Sequence, residues 1–274
     1  MHYESEKCDA IKTQTIENNG REHKLVKNFK MIVSYDGTRY YGWEHQPNTD
    51  MTIQGKLEDV LTRMVGADRV HPVTVIGAGR TDAGVHARAM TANVLLDTAM
   101  TPEEIQAYMN RYLPDDISVN EVKEAAERFH SRFKAIGKTY RYTLWYGASK
   151  PVFDRKYVYV LDAMPDLDRM REAAEHLTGM HDYKSFCGNA HMKKSSVRVV
   201  DTIKIETSGH YIRIYYHGNG FLQNMVRIMT GTLLEVGYGR LQPADMDAIL
   251  DAKDRKKAGP TAPACGLCLM KVDY

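Results

Sequence analysis

The chain has 274 residues, 43% of them hydrophobic, and its Lys+Arg 37 nearly balance its Asp+Glu 35. This length supports one large domain or two ordinary ones. No apolar run approaches the ~18–20 residues of a membrane span, and the polar N-terminus lacks a signal-peptide core, so a soluble cytoplasmic protein is expected. With so little net charge, an anionic partner must be met by local patches.

Residues 1–26 are polar, carry both charge signs and show no period, which reads as a mobile tail. From Asn28 the chain alternates through Phe29, Met31, Val33 and Tyr35 to a turn at Asp36-Gly37, the pattern of a strand. Thr52 is placed to cap a helix with Ile53, Leu57, Val60, Leu61 and Met64 on its apolar face. A short buried strand, Val73–Ile76, and another near 90–96 flank a glycine-rich loop. Thr101, Pro102 and Glu104 form the start of a helix with a capping box. Ile117–Val122 and Thr139–Trp145 read as strands, and Leu167–Leu177 as a helix. A hairpin is expected around Ser208-Gly209, a long helix from about Phe221 to Val236, a shorter one from Pro243, and a closing strand ending near Asp273. We expect an α+β fold of two similar antiparallel-sheet halves with helices on one side, the N-terminal half at 27–128 and the C-terminal half at 129–274.

The loop itself, Gly77-Ala78-Gly79-Arg80-Thr81-Asp82-Ala83-Gly84-Val85-His86-Ala87, sets an arginine, a hydroxyl and a carboxylate among three glycines. Glycine permits positive φ and close approach by another molecule, latitude that a surface ion pair does not need. Dinucleotide binding is the competing reading of Gly77-x-Gly79 after a strand, with Asp97 further on. Spacing rules it out: the third glycine position holds Asp82, whose charge repels a pyrophosphate. The next apolar run starts at Thr91, too soon for a crossover unit of about 30 residues.

Arg227 lies in a run, Phe221 to Met229, that is apolar on more than one side. It either snorkels from the helix edge or pairs with a buried carboxylate, Asp82 being the candidate. From Arg128 to Tyr142 cations and rings interleave, which suits either an amphipathic strand with core tyrosines or a surface for looped RNA. Lys253, Arg255, Lys256 and Lys257 read as a solvated face able to bind phosphate. Cys8, Cys187, Cys265 and Cys268 are too few and scattered for a disulfide framework. A zinc site joining Cys187, His191, Cys265 and Cys268 is disfavoured against reduced cysteines packed as small apolar groups.

The signature Gly79–His86 is similar to that of the tRNA pseudouridine synthase A family. The resemblance runs from Asn28 to Tyr274. It includes Tyr35-Asp36-Gly37, Tyr41-Gly42-Trp43, Asn110 with Leu113-Pro114 and Asp116-Ile117, and Phe129-His130 with Arg132-Phe133. Tyr140-Arg141-Tyr142, Ser185-Phe186, Phe221-Leu222 with Met225-Val226-Arg227, and Gly259–Pro263 complete it. It implies isomerisation of uridine to pseudouridine in the tRNA anticodon stem-loop (positions 38–40), by a homodimer without metal, organic or nucleotide cofactor. It also implies Asp82 as nucleophile, Tyr140 stacked on the target base and Arg227 orienting the carboxylate. Arg80, Thr81, His86 and Tyr140 would form the substrate-binding set, with Arg80 helping to displace the flipped nucleotide. The chain departs from the family pattern at Glu44 (usually Gln), Ala89-Met90 (usually Gln-Val) and Thr230 (usually aliphatic). Those changes leave room for a paralogue with altered RNA choice. A non-catalytic RNA-binding relative would have lost the aspartate or its arginine, and both are present.

Overall fold

The computed structural model describes residues 26–67 and 71–274. The tail expected over 1–26 lies outside the described residues except for Val26, which opens the first strand. In chain order the elements are β1 (Val26–Tyr35), α1 (Ile53–Met64), β2 (Val75–Gly77), β3 (His86–Asp97), α2 (Pro102–Tyr112), β4 (Ile117–Ala125) and β5 (Gly137–Trp145). Then come β6 (Tyr159–Val160), α3 (Leu167–His176), β7 (Gly179–Asp182), β8 (Val197–Ser208), β9 (Tyr211–Gly218), α4 (Met225–Gly237), α5 (Asp245–Ala252) and β10 (Leu267–Asp273).

Local chemistry accounts for most of these boundaries. Thr52 accepts from the amide of Gly55 at the start of α1. At α2 the capping box is complete: Glu104 N–H donates to Thr101 Oγ1, and Thr101 N–H to Glu104 Oε2. Three expectations shift. The strand before the glycine loop is Val75–Gly77, and the strand after it starts at His86, immediately behind the signature. The long helix begins at Met225 instead of Phe221, because Asn224 sits at φ 59°, a left-handed conformation that no helix interior accepts.

Both halves join one sheet, ordered β4-β1-β3-β10-β5-β9-β8-β7, with β2 on β3 and β6 on β5. The closing strand β10 fills the seam between the halves, parallel to β3 and antiparallel to β5. Register puts Tyr35, Ala87, Leu269, Tyr140, Tyr216 and Ile203 in one row across the sheet. The neighbouring row on the other face reads Cys268, Arg141, Tyr215 and Lys204. Side chains alternate along a strand, so one face is apolar and the other polar. Buried residues from all five helices join the apolar face in a single core.

Helix α4 is buried almost throughout, and the segment Gly259–Pro263 crosses it closely. Gly259 N–H donates to Thr232 Oγ1, and Tyr142 Oη–H donates to the Pro263 carbonyl. The crossing requires a glycine at 231, where a Cβ would stand 1.8 Å from Pro260 O. Gly231→Ala therefore forces backbone movement. We expect a loss of about 2 kcal/mol, typical of overpacking, read as a lower chemical-denaturation midpoint.

Candidate active site

The glycine loop is built against the chain that follows β1. Ala78 N–H donates to Thr91 O on β3, which fixes the loop's entry. Trp43 lies flat over Gly77, where a Cβ would fall 2.4 Å from its ring. Trp43 N–H donates to Thr81 O, and Gly84 N–H to Tyr40 O, so Tyr40–Trp43 forms a cradle around the tip. Gly42 sits at φ +101° with Thr81 O 2.6 Å from its would-be Cβ, a position only glycine fills without strain. The Tyr35 and Thr81 hydroxyls lie 2.8 Å apart beneath the tip.

Asp82 stands at that tip, with Arg227 Nη1 3.6 Å from its Oδ2. Their side chains are 26% and 17% exposed, enclosed yet open on one side. Burial pushes the Asp82 carboxyl above the ordinary carboxylate range, and the charge of Arg227 pulls it back. Of the two readings of Arg227, pairing with Asp82 is the one observed. Its guanidinium is held independently of that pair: Nε donates to Ala262 O at 2.7 Å and Nη1 to Asn224 Oδ1 at 3.1 Å. Ala262 N–H in turn donates to Arg227 O, so helix and crossing segment are bonded in both directions.

Tyr140, on β5, belongs to the apolar face and meets Phe221 edge-on at 5.3 Å. Its phenol pKa is raised by burial and then by the charge of Asp82, so it holds its proton at neutral pH. The loop, β5 and α4 thus bring Asp82, Tyr140 and Arg227 together. Arg80 is exposed and pairs with Glu44 at 2.8 Å.

Two residues expected in the substrate-binding set, Thr81 and His86, are held behind the tip. Thr81 is buried with its hydroxyl against Tyr35. His86 is buried as well: Nδ1 accepts from Gly37 N–H at 3.0 Å and lies 3.2 Å from Asp36. Its ring packs edge-on against Tyr157, and it lines a cavity with Arg88, Arg141 and Asp116 that includes none of Asp82, Tyr140 and Arg227. Both residues anchor the loop from behind. The cysteines also separate: Cys187 Sγ lies near Met192 Sδ, while Cys265 Sγ faces Val158 O. Among the described residues no group of three His, Cys, Asp or Glu side chains gathers as metal ligands do.

The sequence pattern gives Asn224 no role and counts Lys138 only among the interleaved cations of Arg128–Tyr142. The signal for Asn224 is a residue tolerant of left-handed φ just ahead of an apolar helical run. For Lys138 it is a cation in the inward-facing register of β5, two residues before Tyr140.

The family described as tRNA pseudouridine synthase matches residues 31–134 and 173–274. Among curated relatives, tRNA pseudouridine synthase A of Bacillus sp. (strain KSM-64) is 43% identical over 249 residues, covering 91% of this chain and 100% of that protein. tRNA pseudouridine synthase A 2 of Clostridium perfringens is 41% identical over the same shares of both chains. tRNA pseudouridine synthase A of Clostridium acetobutylicum is also 41% identical, again over 91% of this chain and all of the relative. With that match to both halves and to full-length relatives, the chain belongs to the tRNA pseudouridine synthase family.

Proposed function

We propose that this protein isomerises uridine to pseudouridine in the anticodon stem-loop of tRNA, at positions 38–40, with Asp82 as catalytic nucleophile. The observation that carries the reading is the Asp82–Arg227 pair, an enclosed carboxylate facing a guanidinium fixed from behind by Ala262 and Asn224. The reaction breaks the N1–C1′ bond, turns the base and forms C5–C1′, while one proton leaves C5 and one is gained at N1. Nothing is oxidised or hydrolysed. A carboxylate is ionised near neutral pH without an activating base, which suits it to an electron-poor ring or sugar carbon. Arg227 keeps that charge when RNA excludes water.

The target base must leave its stack, at a cost of a few kcal/mol. Stacking on the Tyr140 ring recovers about 1–3 kcal/mol. The Tyr140 hydroxyl has no hydrogen-bond partner among the described residues, which leaves it for a substrate atom. Arg80, exposed beside the tip, is positioned to fill the space the extruded base vacates. With tRNA as substrate, the activity belongs in the cytoplasm. No helix among the described residues is long and apolar enough to cross a membrane. We also propose a homodimer, supported by the family resemblance.

Four outcomes test this reading. Asp82→Asn abolishes pseudouridine formation, measured by chemical probing of treated tRNA, while tRNA affinity stays within a few-fold; substantial turnover by that variant removes Asp82 from the chemistry. Because burial raises its pKa and the ionised form is required, wild-type kcat should fall with decreasing pH through a midpoint above the ordinary ~3.9 of an aspartate. Tyr140→Phe should bind tRNA normally and turn over about a hundredfold more slowly; a wild-type rate would reduce the residue to a stacking surface. Light scattering of the purified protein should give the mass of two chains, and a single-chain mass would overturn the dimer.

A further inference from the structure

We propose that Arg132, Lys138 and Arg198 form a phosphate-binding site beside the catalytic loop, which grips the RNA backbone next to the extruded uridine. This inference rests on the function proposed above and goes beyond it in naming the residues that hold the substrate's backbone.

Lys138 lies two residues before Tyr140 on β5, on the same face of the strand. Its Nζ donates to Ala78 O at 2.9 Å, at the root of the loop that carries Asp82. It passes over Gly79, where a Cβ would stand 3.1 Å from Nζ, so the glycine makes room for the lysine. Arg132 follows Ser131, which is buried and pinned: its N–H donates to Asn93 Oδ1 at 2.8 Å and its hydroxyl to Ile76 O at 2.5 Å. Arg198, near the start of β8, lies across Gly220, with Nε and Cδ within 3.8 Å of a Cβ placed there. Gly220 directly precedes Phe221, the ring that meets Tyr140. Three strands or loops therefore converge three cations on the mouth of the site.

These cations lack counter-charges. Among the described residues none of the three forms an ion pair with a carboxylate. Glu44 is the acidic group that acts on Arg132, and it is already paired with Arg80. Asp82 is engaged with Arg227. Burial, and then the charges of Arg132 and Arg198, push the Lys138 ammonium down to about 8. Burial and the charge of Arg80 lower Arg132 as well. Arg132 is exposed while Lys138 and Arg198 are half-buried, and a cluster of like charges beside a half-buried ammonium is unfavourable in the free protein and becomes favourable when an anion enters it. The anion that an RNA strand offers beside every base is a phosphodiester, which arginine forks and lysine ammonium groups bind with charge-assisted hydrogen bonds. When it arrives, the pKa of Lys138 rises and a proton is taken up.

The test uses the full chain and an unmodified tRNA transcript, with affinity measured against salt at pH 7 and pH 9 and proton uptake measured by calorimetry in two buffers near pH 8. Wild type should bind with net proton uptake near pH 8 and more weakly at pH 9. Lys138→Gln, which keeps a donor for Ala78, should weaken binding about tenfold at pH 7 and lower the salt slope by about one. It should also abolish the proton uptake. Lys138→Arg should restore affinity without restoring the uptake. Should Lys138→Gln fail to fold, Arg198→Gln serves in its place, with the same expected loss of affinity and of salt slope. Wild-type salt slope, pH dependence and uptake in these variants would overturn the site while leaving pseudouridine formation by the wild type intact. A wild type that forms no pseudouridine would instead overturn the proposed function.

Discussion

The structure turns on keeping a carboxylate charged where water is scarce. Asp82 is enclosed enough for burial to favour its neutral form, and among the described residues Arg227 is the one cation within ion-pair distance to oppose that. At 3.6 Å the pair is a loose one, so its strength depends on the guanidinium being held in place by other means. The Nε bond to Ala262 O and the Nη1 bond to Asn224 Oδ1 do so before any substrate arrives, and the Ala262 N–H bond to Arg227 O steadies the helix behind them. Preorganisation of this kind matters most when a bound nucleic acid lowers the local dielectric, since a dipole or charge that need not reorient contributes fully at the moment of reaction.

That arrangement needs parts of the chain far apart in sequence to meet within an ångström or so, and the sheet supplies the ruler. β10 closes the gap between β3, which leaves the glycine loop, and β5, which carries Tyr140. One row of the register then holds Tyr35 under the loop, Ala87 behind it, Leu269 in the seam and Tyr140 beside it. The segment just before β10, Gly259–Pro263, is the one that fixes Arg227. Seating the last strand and positioning the arginine are therefore one event, and Gly231 is where the two would fail together.

Much of this was legible in the sequence because it rests on short-range rules. Alternation in β1, the cap at Thr52, the capping box at Thr101 and the clustering of glycines around Asp82 are all local patterns, and each appears where it was expected. Other placements rest on a different cause. Thr81 and His86 sit inside a functional motif, which suggested contact with substrate, yet their partners Tyr35, Asp36 and Gly37 come from the end of β1 and the turn after it. Asn224 looks like one more helical residue until its φ is known. Lys138 looks like one more cation in an alternating strand until Ala78 arrives from sixty positions earlier. Non-local partners decide these roles, and no periodicity encodes them.

The departures from the family pattern fit the same physical account. Thr230 places a hydroxyl in the core, and that hydroxyl is satisfied by Tyr216 at 2.8 Å and by the Val226 carbonyl one helical turn back. Glu44 is different, because it faces the site. Its carboxylate ties Arg80 at the rim, and both groups are about half exposed, a geometry in which an ion pair contributes at most ~1 kcal/mol. Such a tether is weak enough for RNA phosphates to displace, and it adds a negative charge near the cation of Arg132. A glutamine there would leave Arg80 without a charged partner and the cation group without that opposing charge. The consequence of Glu44 is a rim whose attraction for RNA is reduced in proportion to its exposure, while the enclosed Asp82–Arg227 pair behind it is left untouched. Discrimination among RNAs and the chemistry on uridine are thereby carried by separate groups, one set at the surface and screened by salt, the other shielded from it.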